Sequence, residues 1–187
     1  YKRQTEESGI WVESSCKSTG ATWFDFNRDG FLDLFISDWG KCSANSLFIN
    51  DQDGTFTKAN MDPTYDEDGD RMQSYTMMPY DFNDDGYLDV LIANDFRKPN
   101  NLLINQSGLY MVDEAAEYGI DSTLDDMGIT MGDIENDGDF DFFFTGIKEN
   151  AFYLNDGKNN FTESLEEYGL TATDWAWGCH FEDFDLD

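Results

Sequence analysis

Asp25-Phe-Asn-Arg-Asp-Gly-Phe-Leu-Asp33 recurs as Asp81-Phe-Asn-Asp-Asp-Gly-Tyr-Leu-Asp89 and as Asp133-Ile-Glu-Asn-Asp-Gly-Asp-Phe-Asp141, and a fourth copy opens with Asp183-Phe-Asp-Leu-Asp187. Each complete copy places oxygen-bearing side chains at positions 1, 3, 5 and 9 and a Gly at position 6, where the backbone must turn. Such a set suits a hard cation that takes six to eight oxygens, which is calcium. One copy alone is also compatible with a solvated turn, because Asp, Asn and Gly are the commonest turn residues. Three complete copies in one register favour the metal.

The expected ligands of the first site are Asp25, Asn27, Asp29 and Asp33, with Phe31 giving its backbone carbonyl. Asp81, Asn83, Asp85, Tyr87 and Asp89 repeat the set, and Asp133, Glu135, Asp137, Asp139 and Asp141 form a third. Glu135 stands where the other two have Asn, and its extra methylene weakens the expectation for that site. Asp183, Asp185 and Asp187 would begin a fourth. An EF-hand would need an acidic residue at position 12. Ile36, Ile92 and Phe144 stand there, so that reading fails in every copy.

The residues around the loops indicate what positions them. Leu-Phe-Ile-Ser, Val-Leu-Ile-Ala and Phe-Phe-Phe-Thr follow position 9, short runs that read as buried strands, and strand-compatible residues precede position 1. The loops are therefore expected to join antiparallel strands. Apolar runs ending in Asn50, Asn105 and Asn155 come next, then hairpin turns containing Gly54, Gly108 and Gly157, then an aromatic. A connector follows, seen as Glu7-Ser-Gly-Ile10, Glu117-Tyr-Gly-Ile120 and Glu167-Tyr-Gly-Leu170. The second repeat has Tyr65-Asp-Glu-Asp-Gly-Asp70 in its place, read as an exposed acidic loop, the alternative being an additional cation site. First ligands at 25, 81, 133 and 183 give a period of about 50 residues. Four strands in that length is one β-propeller blade. The expected fold is all-β, with blades of four antiparallel strands at roughly 5–60, 61–115 and 116–168 and a truncated fourth repeat at 169–187, about three and a half blades of a partial propeller.

The loops and this strand order resemble the FG-GAP/VCBS repeat family, whose blades carry calcium loops in integrin α-subunit-type β-propellers. Phe161 to Leu170 is further similar to the cartilage-acidic-protein-like branch. The resemblance implies adhesion, scaffolding or assembly of an extracellular structure such as a filament, with structural Ca²⁺ and with extracellular proteins or glycans as partners. The alternative is the propeller portion of a polysaccharide-acting enzyme, or a glycan-binding module.

Composition bounds the rest. A net charge of −29 argues against nucleic acid and anionic lipid as partners, both of which need a basic footprint. Bound divalent cations would offset part of the self-repulsion. No apolar run approaches membrane-spanning length, and no signal-peptide pattern opens the chain. Calcium loops point to a secreted or cell-surface protein. Cys16 and Cys42 flank the first loop and are a candidate disulfide, leaving Cys179. Asn105 and Asn160 head glycosylation sequons at expected hairpin turns.

Catalysis is not expected. His180, the only histidine, is assigned to the strand entering the fourth loop, and no nucleophile or phosphate-binding motif occurs. The tryptophans, Trp11, Trp23, Trp39, Trp175 and Trp177, are read as packing between blades, the alternative being a stacking platform for sugars, with Trp39 the candidate for an exposed ring.

Overall fold

A computed structural model describes residues 4–12, 17–40, 45–59, 72–170 and 174–184. The fold is all-β. Three four-stranded antiparallel sheets follow one another along the chain. The first holds β1 (Lys17–Phe24), β2 (Asp33–Trp39), β3 (Ser46–Asn50) and β4 (Phe56–Ala59), each paired with its neighbour in sequence. The second holds β5 (Ser74–Tyr80), β6 (Asp89–Asn94), β7 (Asn101–Asn105) and β8 (Met111–Asp113). The third holds β9 (Asp126–Gly132), β10 (Asp141–Gly146), β11 (Ala151–Asn155) and β12 (Phe161–Glu163). These are partial propeller blades. The first strand of the middle sheet, β5, packs against β1 on one side and β9 on the other.

The middle strands carry near-continuous apolar runs because they are covered on both faces. Every residue of β6 and β7 is buried. Side chains alternate across a strand. Val90, Ile92 and Leu103 therefore pack with Phe24, Phe35 and Leu47 of the first sheet. Leu91, Leu102 and Ile104 pack with Phe142, Phe144 and Tyr153 of the third. Rings fill the second wedge: Phe82 stacks on Phe142 with centroids 5.2 Å apart, and Phe161 meets Phe142 edge-on at 5.6 Å. Such pairs add about 0.5–1.5 kcal/mol beyond the area that they bury.

The connectors contain short helices, α1 (Gln4–Ser8) and α2 (Ala115–Tyr118), the second closed by Gly119 in the left-handed conformation at φ 75°. One expectation on the fold, the strand at His180, is corrected. Residues 174–184 contain no strand, so His180 does not sit in one. Their backbone instead bonds to the third sheet, with Ala176 N–H donating to Gly146 O. No described helix is long and apolar enough to cross a membrane. Asp185, Asp187, the Cys16–Cys42 pair and the acidic stretch 65–70 lie outside the described residues.

Candidate metal centre

Each metal-type loop joins the first strand of a sheet to the second. In the first loop Asp29 N–H donates to both Asp25 Oδ1 and Asn27 Oδ1, each at 3.1 Å, so positions 1 and 3 share one donor. Gly30 N–H donates to Asp25 Oδ2 at 2.9 Å, and Phe31 N–H to Asp29 Oδ1 at 2.9 Å. Asn27 Nδ2 donates to Asp29 Oδ2 at 3.2 Å. The backbone turns through two left-handed residues, Arg28 at φ 58° and Gly30 at φ 88°. Asp84 with Gly86, and Asn136 with Gly138, repeat both turns, so position 4 is conformationally special as well as position 6. The glycine was recognisable in every copy from residue type, whereas at position 4 Asp84 and Asn136 are types that tolerate positive φ and Arg28 is not.

The second loop reproduces the first contact for contact. Asp85 N–H reaches Asp81 Oδ1 and Asn83 Oδ1 at 3.1 Å, Gly86 N–H reaches Asp81 Oδ2 at 2.8 Å, and Tyr87 N–H reaches Asp85 Oδ1 at 2.8 Å. The third loop keeps the position 1 and position 5 contacts through Asp133, Asp137 and Asp139. Glu135 departs: its Oε1 accepts from the Tyr168 hydroxyl at 3.0 Å, on the connector after the third sheet.

The position 9 aspartates do a second job. Asp33, Asp89 and Asp141 are buried, and each accepts one N–H from position 2 of its own loop, on Phe26, Phe82 and Ile134. Their other oxygen accepts the backbone N–H of Asn50, Asn105 and Asn155, the residues that end the third strands. Those asparagines return the bond, donating Nδ2 to the position 8 carbonyls of Leu32, Leu88 and Phe140. Burial pushes all three carboxyls up despite these bonds, Asp89 to about 7. At exposed position 5 of the first loop, the Phe31 N–H holds Asp29 below the usual range.

All donors are carboxylate, amide and carbonyl oxygens, which fits a hard divalent cation and not a thiol- or imidazole-preferring one. Among the described residues no three His, Cys, Asp or Glu side chains form a cage by themselves; an amide takes part in the first two loops. Asp183 is exposed, and the other candidate ligands of its copy, Asp185 and Asp187, lie outside the described residues.

A profile of the FG-GAP-like repeat matches residues 81–144 and 133–187, more than half of the chain. The chain belongs to the FG-GAP-like repeat family. With its three blades, this makes it a β-propeller-type protein. No curated protein matches it. Among solved structures it is similar to an Agrocybe aegerita lectin described as recognising non-reducing terminal N-acetylglucosamine. Identity is 21%, the TM-score is 0.46, and 76% of this chain aligns with 36% of the lectin's length.

Other candidate residues are placed as follows. Asn105 is buried, and its Nδ2 donates to Phe26 O at 2.9 Å and Leu88 O at 3.1 Å. It lies in β7 rather than in a turn, and the folded chain leaves no room for a glycan on that nitrogen. Asn160 is exposed in the β11–β12 turn, with Nδ2 3.0 Å from Asp156 Oδ2. Cys179 is a half-buried free thiol, raised in pKa by burial. His180 is exposed, 2.9 Å from Glu182. The packing role expected for the tryptophans is overturned for Trp11, Trp23, Trp175 and Trp177, all more than half exposed, whereas Trp39 is only half-buried against Phe96. The clasp asparagines stood out in the sequence as repeated strand ends, but their role needs the fold to bring position 9 beside them.

Proposed function

We propose that this chain is part of an extracellular calcium-binding β-propeller protein whose ions are structural, and that it serves adhesion, scaffolding or assembly of an extracellular structure, with proteins or glycans as partners. The observation that carries the reading is the identical ordering of positions 1, 3 and 5 in the first two loops. There, carboxylate and amide oxygens share a donor at the exposed end of the sheets. Asp25, Asn27 and Asp29 would hold the first ion, Asp81, Asn83 and Asp85 the second, each with the position 7 carbonyl and the position 9 carboxylate. A bound Ca²⁺ supplies positive charge that offsets the crowded carboxylates. The chain's own residues fix the loop between two strands and, through the clasp asparagine, to a third.

Extracellular calcium, near about 1 mM, fills sites of modest affinity, which is why such loops suit a secreted or surface protein. The net charge of −29 supports a partner other than nucleic acid and disfavours binding to anionic membranes. We read the chain as a binding protein and assign no catalytic residue. Isothermal titration of the metal-stripped chain tests the cation: saturable Ca²⁺ binding, with Mg²⁺ weaker, is expected. Absence of Ca²⁺ binding at millimolar concentration would end the reading.

A further inference from the structure

At the end of the sheets opposite the metal loops, where β1, β5 and β9 begin, a cavity of about 630 Å³ opens. Each first strand has a bulge there. Ser18 pairs with Asp38 and Gly20 with Ser37, leaving Thr19 as the extra residue. Tyr75 and Met127 are the extra residues of β5 and β9 by the same register shift. All three line the cavity. Bulges re-aim side chains and gather beside functional sites.

These three residues, and Trp177 after them, each stand six positions ahead of a first loop ligand. At the metal loops the repeat holds residue type nearly constant, with Asp at positions 1, 5 and 9 of every complete copy. At the bulge the three sheets hold the backbone device while the side chain changes to Thr, Tyr and Met, and Trp177 stands at the corresponding sequence position of the fourth copy. The positions eight ahead of a first ligand diverge likewise, with Lys17, Asp125 and Trp175 lining the cavity. The divergent residues at these positions meet in one concave place, as a single asymmetric site requires.

The chemistry of the walls selects the ligand. Trp175 and Trp177 stack in parallel at 5.9 Å and 11°, both more than half exposed, and Tyr75 leans on Trp177 at 5.6 Å. Asp95 is buried and fixed, its Oδ1 accepting from Phe96 N–H at 2.7 Å and its Oδ2 from Trp39 Nε1 at 3.1 Å. Asp125 Oδ1 accepts from Arg97 N–H at 3.1 Å. Lys17 Nζ lies 4.7 Å from the centre of the Trp39 ring. An anion would be repelled by the two carboxylates, whereas an organic cation would be drawn to them and to the rings and opposed by Lys17 alone, which makes choline the competing ligand to test. A neutral polyhydroxylated ligand uses all of these groups. Its C–H face lies on indole, its hydroxyls donate to Asp95 and Asp125, and its oxygens accept from Lys17. The volume falls within the range of about 300–1,000 Å³ usual for small-ligand sites.

We infer that this cavity binds a neutral saccharide, a hexose or short oligosaccharide, with Trp175 and Trp177 as the stacking platform and Asp95 as an oriented acceptor. The inference rests on reading the chain as a binding protein, and not on the cation. The test is a glycan array carrying neutral and charged saccharides, probed with the labelled full chain, followed by titration of the retained sugar against wild type, Trp177→Ala and Asp95→Asn, with choline titrated separately. Neutral saccharides are retained, and each substitution weakens binding about tenfold or more, as loss of a stacked ring or an oriented acceptor should. Circular dichroism of Trp177→Ala matches wild type, since that ring is largely exposed. Retention of no saccharide, equal binding by both variants and wild type, or saturable choline binding in place of sugar would each overturn the site. Ca²⁺ titration of the same preparations separates the two readings: Trp177→Ala keeps the wild-type Ca²⁺ response. A sugar signal without a Ca²⁺ response would sink the cation reading alone.

Discussion

Asp89 and Asn105 hold each other in a two-way clasp: Asp89 Oδ1 accepts Asn105 N–H at 2.7 Å, and Asn105 Nδ2 donates to Leu88 O, the neighbour of Asp89, at 3.1 Å. Asn105 also donates to Phe26 O of the first metal loop, so the clasp ties the second metal loop to β7 and to the preceding blade. Replacing Asp89 by Ala would leave the Phe82 and Asn105 N–H groups buried without acceptors. Each such orphan costs about 1–3 kcal/mol. Asp89→Ala is expected to lower stability by about 2–5 kcal/mol in urea titration, with Asp89→Asn intermediate because one oxygen remains.

The third loop should be the weakest cation site, because Glu135 is turned towards Tyr168 and the position 3 amide of the other loops is missing. Glu135→Asn is expected to strengthen Ca²⁺ binding at that loop about tenfold, read by calorimetric titration. Tyr168→Phe alone should strengthen it less, since it releases the glutamate without shortening it.

Stability should depend on pH through Asp126, which is buried at the start of β9. Burial raises its pKa to about 6 from 3.8, with Asp125 and Asp95 adding to the rise and the Asn100 amide, 2.8 Å away, opposing it. A raised carboxyl means that the folded state holds the proton more tightly than the unfolded chain. Its contribution is therefore fully present below about pH 4 and is lost as pH climbs through 6. Asp126→Asn is expected to reduce the slope, with Asp89 contributing to what remains, and to stabilise the protein at pH 7 by about 1–3 kcal/mol, measured as urea midpoints from pH 4 to 8.

Glycan occupancy offers a separate check on burial. Produced through a secretory pathway, the chain is expected to carry glycan at Asn160 and none at Asn105, seen by peptide mass spectrometry. The contrast comes from the two amide nitrogens, one exposed beside Asp156 and one enclosed between Phe26 and Leu88 carbonyls.

The blades were legible in the sequence because three signals agreed: a repeated loop, strand-like runs on both sides of it, and Gly at each hairpin. Loops and hairpins are local, so residue type reveals them. The clasp was half legible, since Asn50, Asn105 and Asn155 recur, but their partners lie 14–17 residues away and meet them only through strand pairing. The aromatic cavity was not legible. Its parts come from the starts and ends of strands in successive blades, and bulges place Thr19, Tyr75 and Met127 where simple alternation would not. Trp175 and Trp177 were assigned to packing because large rings usually pack, a rule that their exposure overrides here.

The most direct test of the calcium reading is thermal unfolding of the chain in EDTA and in rising Ca²⁺, compared with an Asp25→Ala/Asp81→Ala double variant. An ion that binds only the folded state must raise the melting temperature with its concentration. The wild type should climb steadily up to millimolar Ca²⁺, with the double variant showing most of that response lost. Superimposable wild-type melts in EDTA and in millimolar Ca²⁺ would contradict the assignment of these loops to calcium.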